Sequence, residues 1–181
     1  MLPLQAQINM GENFIIPLSG LAAGQTDFLW KVGKEFFESF DNTEILEAEI
    51  VARVVVEKSG RYTGVDCEVE GSVTVECDRC LEALELPVDT SISLSVKYGE
   101  GESSSDPHEG EREVIFVSED DAQLDMSQIV YDYICVSLPM QRHHDEGECD
   151  PDTVRYLGNQ SEKTVESLDE NNPFAALKNI F

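Results

Sequence analysis

Between residues 47 and 98 apolar and polar side chains alternate with period two, the repeat of a half-buried strand. Ala48, Ile50, Ala52, Val54 and Val56 share one parity. Glu47, Glu49, Arg53 and Glu57 hold the other, with Val51 and Val55 among them. Ser59-Gly60 is a turn signal. Val65, Cys67, Val69, Gly71, Val73 and Val75 then alternate with Asp66, Glu68, Glu70, Ser72, Thr74 and Glu76. After a short loop, Leu84, Leu86, Val88, Ile92, Leu94, Val96 and Tyr98 keep one parity. The pattern predicts three sequential antiparallel strands, the last two forming a hairpin over residues 62–98. Strands of this length twist, and are expected to curl toward a half-barrel.

The flanks carry shorter elements. Residues 14–19 suit an edge strand, because Pro17 has no N–H for a central ladder. Residues 20–24 read as a turn and 27–32 as a strand. Phe36, Phe37 and Phe40 place two helical turns over 34–40, broken by Asp41-Asn42-Thr43. Residues 99–112 are acidic and of low complexity, and predict a mobile loop. A short strand is expected at 114–117. The best helix is 125–138: Met126, Ile129, Val130, Tyr133, Ile134 and Leu138 form one stripe. Asp125 and Gln128 resemble a capping box, and Pro139 ends the helix. The expected class is α+β: a twisted antiparallel meander or half-barrel with one main C-terminal helix packed on it. Residues 1–158 form one domain. Residues 159–181 form a polar tail ending in a short amphipathic segment, 172–181, anchored by Phe174, Leu177, Ile180 and Phe181.

Charge narrows the partners. The 37 acids against 12 bases give a net charge of −25, and the bases do not cluster. Nucleic-acid affinity rests on basic stripes, so tight direct binding to RNA or DNA is disfavoured. A basic protein is the favoured partner. No apolar run reaches the roughly 20 residues of a membrane helix, and the first residues lack the n- and h-regions of a secretory signal. Five cysteines, an odd number, fit a reducing cytoplasm and thiols or metal ligation rather than disulfides. The pattern does not set an oligomeric state.

The candidate chemistry sits at the hairpin tip, Cys77-Asp78-Arg79-Cys80-Leu81-Glu82. Beyond the helix come His143, His144 and Cys149. A Cys-x-x-Cys loop supplies two soft ligands with little strain, and Cys149 with His144 would complete a tetrahedral set for one structural zinc. Against this stand two other readings: a hairpin with unligated thiols, and a redox pair. A redox cysteine favours a helix N-terminus after a parallel strand, whereas Glu76, Asp78 and Glu82 should oppose a thiolate here. Cys67 and Cys135 read as packing residues, and His108 as a loop residue. Asp78 and Arg79 read either as a surface contact or as a solvated turn with paired charges. No phosphate loop, nucleophile elbow or His-Glu-x-x-His appears.

Taken in order, Cys77-Asp78-Arg79-Cys80-Leu81-Glu82, Ser137-Leu138-Pro139-Met140, His144 with Cys149, and Asn172-Pro173-Phe174-Ala175-Ala176-Leu177 resemble the YceD family of large ribosomal RNA subunit accumulation proteins. The pattern over 12–40 looks like its Bacteroidetes branch. Gln141-Arg142 stands where relatives often carry Val-Pro. The resemblance implies a cytoplasmic bacterial factor supporting large-subunit ribosomal RNA, with no enzymatic activity. The expected function is therefore ribosome assembly through a basic ribosomal or assembly protein. The alternatives are a zinc-stapled interaction module of other role and a thiol-dependent redox enzyme.

Overall fold

The computed structural model of the protein describes residues 14–60, 62–99, 112–118 and 120–158. The expected acidic loop, apart from its two ends, and the tail with its amphipathic segment lie outside the described residues.

Five strands build one open sheet in the order β2-β3-β4-β5-β6. They are β2 (Gly24–Val32), β3 (Glu47–Ser59), β4 (Tyr62–Glu76), β5 (Ala83–Tyr98) and β6 (Glu113–Val117), and a short β1 (Ile15–Pro17) precedes them. The meander is as the alternation predicts: β3 runs antiparallel to β4 from Glu47↔Thr74 to Ser59↔Tyr62, and β4 to β5 from Thr63↔Val96 to Glu76↔Ala83. The sheet does not close. Its fifth strand departs from the antiparallel expectation, because β6 pairs parallel with β5, Leu94↔Glu113 to Tyr98↔Val117.

Parity decides which side chains leave water. Val54, Val56, Val65, Cys67, Val69, Leu94 and Val96 are at most 1% exposed, while Arg53, Glu57, Glu68 and Glu70 on the other parity are exposed. Gly71 breaks the rule. It is exposed, with φ of 155°, and an added Cβ would meet the Glu49 carbonyl oxygen at 2.2 Å. The glycine lets β3 and β4 approach closely there. Pro87 sits where β5 has no neighbour beyond β4 among the described residues, since β6 begins opposite Leu94. Its missing N–H therefore breaks no ladder.

Helix α1 (Lys34–Glu38) and helix α2 (Ser127–Ser137) belong to the apolar side. Phe37 of α1 is fully buried, and Phe40 just after it stacks on Tyr131 of α2 at 4.3 Å. Met126, Val130, Ile134 and Leu138 bury the α2 stripe at i, i+4, i+8 and i+12. Ile129 and Tyr133 of the expected stripe are half-buried against the same core. The capping box does not close: Asp125 Oδ1 accepts the Ser127 N–H at 2.8 Å, while Gln128 Nε2 donates to Asp132. Two elements escape the pattern. Strand β7 (Gln123–Asp125) pairs with β1 in a separate small sheet, and α3 (Pro151–Gly158) follows the candidate ligands.

Candidate metal centre

The tip of the β4–β5 hairpin is a tight knuckle. The Cys77 N–H donates to the Glu82 carbonyl at 2.9 Å, and the Leu81 N–H donates to the Cys77 carbonyl at 2.9 Å. Leu81 takes a left-handed conformation, φ of 62°, which turns the chain back into β5. The Arg79 N–H points at Cys77 Sγ from 3.5 Å. Both thiols are buried, Cys77 fully and Cys80 to 4% exposure, whereas Leu81 stands 68% exposed.

The second half arrives from beyond α2. Leu138 leaves the helix with extended ψ of 143°, and Pro139 prevents its continuation. The returning chain is then clamped to the knuckle. Asp78 N–H donates to the Arg142 carbonyl and Arg142 N–H donates to Asp78 Oδ2, both at 2.7 Å. A proline at 142 could not make the second bond. Arg142 Nη1 also donates to Glu44 at 2.9 Å. A turn from Asp145 to Glu148, with Gly147 at φ of 94°, brings Cys149 back toward His144. Asp150 then starts α3: its carboxylate accepts from Thr153 N–H at 2.9 Å and Thr153 Oγ1 at 2.7 Å, with Pro151 in the first turn. Those bonds hold the Asp150 carboxyl below the usual carboxylate range.

Cys77, Cys80, His144 and Cys149 thus converge, with ligand atoms all within 4.8 Å of one another, close enough to hold a metal ion. Cys77 Sγ lies 3.9 Å from Cys149 Sγ, Cys80 Sγ 3.4 Å from His144 Nδ1, and Cys149 Sγ 3.9 Å from His144 Nδ1. A tetrahedron with Zn–S bonds of about 2.3 Å has S···S edges of roughly 3.8 Å. Three soft sulfurs and one imidazole nitrogen are a zinc-type donor set. His144 Nε2 lies 3.2 Å from the Ala83 carbonyl. That contact suits an Nε2–H donor, which leaves the Nδ1 lone pair facing the sulfurs, the orientation an outer-shell carbonyl gives a ligating histidine.

The thiols are not equivalent. Burial works against a Cys77 thiolate, yet backbone N–H groups of Cys80, Arg79 and His144 outweigh it and bring the thiol down to about 5. These peptide donors act in the opposite direction to the expected influence of Glu76, Asp78 and Glu82. Burial, with the neighbouring Cys77 and Cys80, pushes Cys149 up to about 11. His144 is raised by its interaction with Cys77.

The remaining candidates lie apart. His143 Nδ1 contacts the His144 carbonyl and is no member of the foursome. Cys67 is buried in the sheet core, and that burial pushes its thiol up to about 12. Cys135 is half-buried on α2, 3.9 Å from Asn42 Nδ2. The clamp between Asp78 and Arg142 and the Asp150 cap escaped the sequence reading. The Asp150-Pro151-Asp152-Thr153 run is a helix-start signal that marks the cap; no sequence signal pairs Asp78 with Arg142.

No helix among the described residues is long and apolar enough to cross a membrane. The family model described as Large ribosomal RNA subunit accumulation protein YceD matches residues 65–181, more than half of the chain. No curated protein and no solved structure matches.

Proposed function

We propose, from the premise that the chain belongs to the YceD family of large ribosomal RNA subunit accumulation proteins, that it is a non-enzymatic cytoplasmic factor supporting large-subunit ribosomal RNA through a basic ribosomal or assembly protein. The family match carries the reading: from Val65 within β4 onward it takes in β5, α2 and all four converging donors. The charge of −25 supports a basic protein partner over bare RNA. Cys77, Cys80, His144 and Cys149 would hold one structural zinc. Bound there, it supplies ligation energy that ties the hairpin tip to the segment after α2. A closed set of four protein ligands leaves no open position for substrate, so the metal serves as a staple.

The test is to deplete the protein in its native cell and measure mature large-subunit against small-subunit ribosomal RNA. A selective fall of the large-subunit RNA, restored by the wild-type chain and not by Cys80→Ser, is expected. An unchanged ratio overturns the reading. A second reading, thiol chemistry, draws on the Arg79 N–H aimed at Cys77 Sγ, one of the peptide donors that favour a thiolate there. Elemental analysis of the purified chain separates the two. Zinc near one per chain supports the staple; metal-free protein whose Cys77 alkylates rapidly at neutral pH supports the thiol enzyme.

A further inference from the structure

The segment joining α1 to β3 stands between three adjoining hollows of 370, 400 and 440 Å³, and Thr43 lines all of them. One lies against α2 at Tyr131 and Leu138. The second reaches the knuckle at Glu76 and Asp78, and the third reaches back to Glu38 of α1. Together they form a cleft that runs past the clamp between Asp78 and Arg142. Apolar side chains contribute to its lining, Ile45, Leu46, Tyr131 and Leu138 among them, and Met140 stands wholly exposed at its rim. Its walls are acidic: Glu38, Asp41, Glu44, Glu76 and Asp78 face two cations, Lys34 and Arg142. Lys34 reaches Glu38 and Glu47, and Arg142 is paired with Glu44. Asp41 holds a left-handed backbone, φ of 55°, within this wall.

We infer that this cleft is the docking site for the basic partner, taking an extended segment that carries lysine or arginine beside apolar side chains. The inference rests on the basic-partner reading above and gives it a location. The charge of the walls selects a cationic segment, and exposed Met140 selects one that also brings hydrophobic side chains. The outer face of the sheet is acidic as well, through Glu68, Glu70 and Asp89, and serves as the comparison surface.

The experiment uses the full chain with its metal and a fluorescein-labelled peptide of alternating lysine and leucine, followed by anisotropy at about 0.15 M salt. Two doubly neutralised variants carry the same change of charge. Asp41→Asn with Glu76→Gln alters the cleft, and asparagine tolerates the left-handed backbone. Glu68→Gln with Asp89→Asn alters the sheet face. Melting temperature and metal content serve as folding controls. Affinity falls roughly tenfold for the cleft variant and less than twofold for the sheet variant, a tenfold loss being the scale of two charged contacts. Equal losses, or a loss confined to the sheet variant, overturn the cleft while leaving a basic partner in place. A wild-type chain that ignores the peptide overturns both. A chain ending at residue 171 binds as the full chain does; tighter binding by the shortened chain makes the protein's own tail the occupant and overturns the inference.

Discussion

At the end of the β4–β5 hairpin away from its loop, Val65 and Leu94 are fully buried and Val96 nearly so. There β6 extends the sheet beyond β5. At the loop end, no described strand lies beyond residues 83–93 of β5, Leu84 and Leu86 are only half-buried, and Glu85 and Pro87 are exposed. Yet Cys77 and Cys80 are as buried there as the core valines. Beside them lies the segment 139–149, a polar stretch with little apolar area to contribute, held by the Asp78–Arg142 clamp and carrying the other two candidate ligands, His144 and Cys149. The apolar face stays buried along the hairpin as far as Val75 and Val88, and beyond it the knuckle is held by a few directed bonds. Parity does not reach the knuckle itself, and a metal held by the four donors would be an economical way for a two-stranded projection to become rigid.

Cys80→Ser should produce the largest effect. Metal content of the purified protein should fall from near one per chain to near zero. Melting temperature should drop by roughly 10 °C, the scale of about 3 kcal/mol in a domain of this size. Hydrogen exchange should quicken over 77–86 and 141–150, while 63–69 and 92–96 keep their protection. Uniform loss of protection would erase the distinction between the two ends.

Ile134→Ala probes the packed core instead. The side chain is fully buried on α2, so its truncation should cost roughly 3 kcal/mol in denaturant titration. Metal content should stay at its wild-type value. Loss of metal in this variant would mean that the core and the knuckle share one cooperative unit.

Asp150→Ala should be milder. It removes the carboxylate that receives both Thr153 donors, a loss of about 1 kcal/mol from the start of α3. Cys149 directly precedes that cap. Competition with a chromogenic chelator should therefore show metal bound several-fold more weakly, with α2 and the sheet unaffected. Unaltered metal affinity would show that Cys149 is positioned by the Asp145–Glu148 turn alone.

The two ends also differed in how far they could be read from sequence. Alternation from Ala48 to Tyr98 carries the register of three strands, because each residue's face follows from its parity. The parallel placement of β6 does not follow, since the polar run before it carries no periodicity to set a direction. Strands β1 and β7 have three residues each, too few for a period, and their pairing is a tertiary fact. The four donors were legible because thiols and imidazole have recognisable chemistry, and because a helix stopped at Pro139 can return toward the hairpin. The Asp78–Arg142 clamp was not, because it joins backbone groups and a carboxylate across 64 residues, and backbone groups leave no trace in composition.

The smallest predicted effect has the opposite sign. Glu70 and Asp89 are directly opposed across β4 and β5, and both are exposed. Like charges in that position repel, by a few tenths to about 1 kcal/mol. Glu70 has an offsetting partner in Arg53 of β3, whereas no hydrogen bond or ion pair is seen for the Asp89 carboxylate among the described residues. Asp89→Asn should therefore raise stability by roughly 0.5 kcal/mol at low salt, and Glu70→Gln should gain less because it gives up the Arg53 pair. In about 1 M salt, where the screening length is about 3 Å, the Asp89→Asn gain should vanish. Urea titrations at the two salt concentrations measure it. A gain that persists in high salt would trace to asparagine's own fit in the strand rather than to relief of repulsion. The acidic side of the sheet near the tip would then cost the fold nothing measurable, and the difference between the two ends would reduce to packing against ligation.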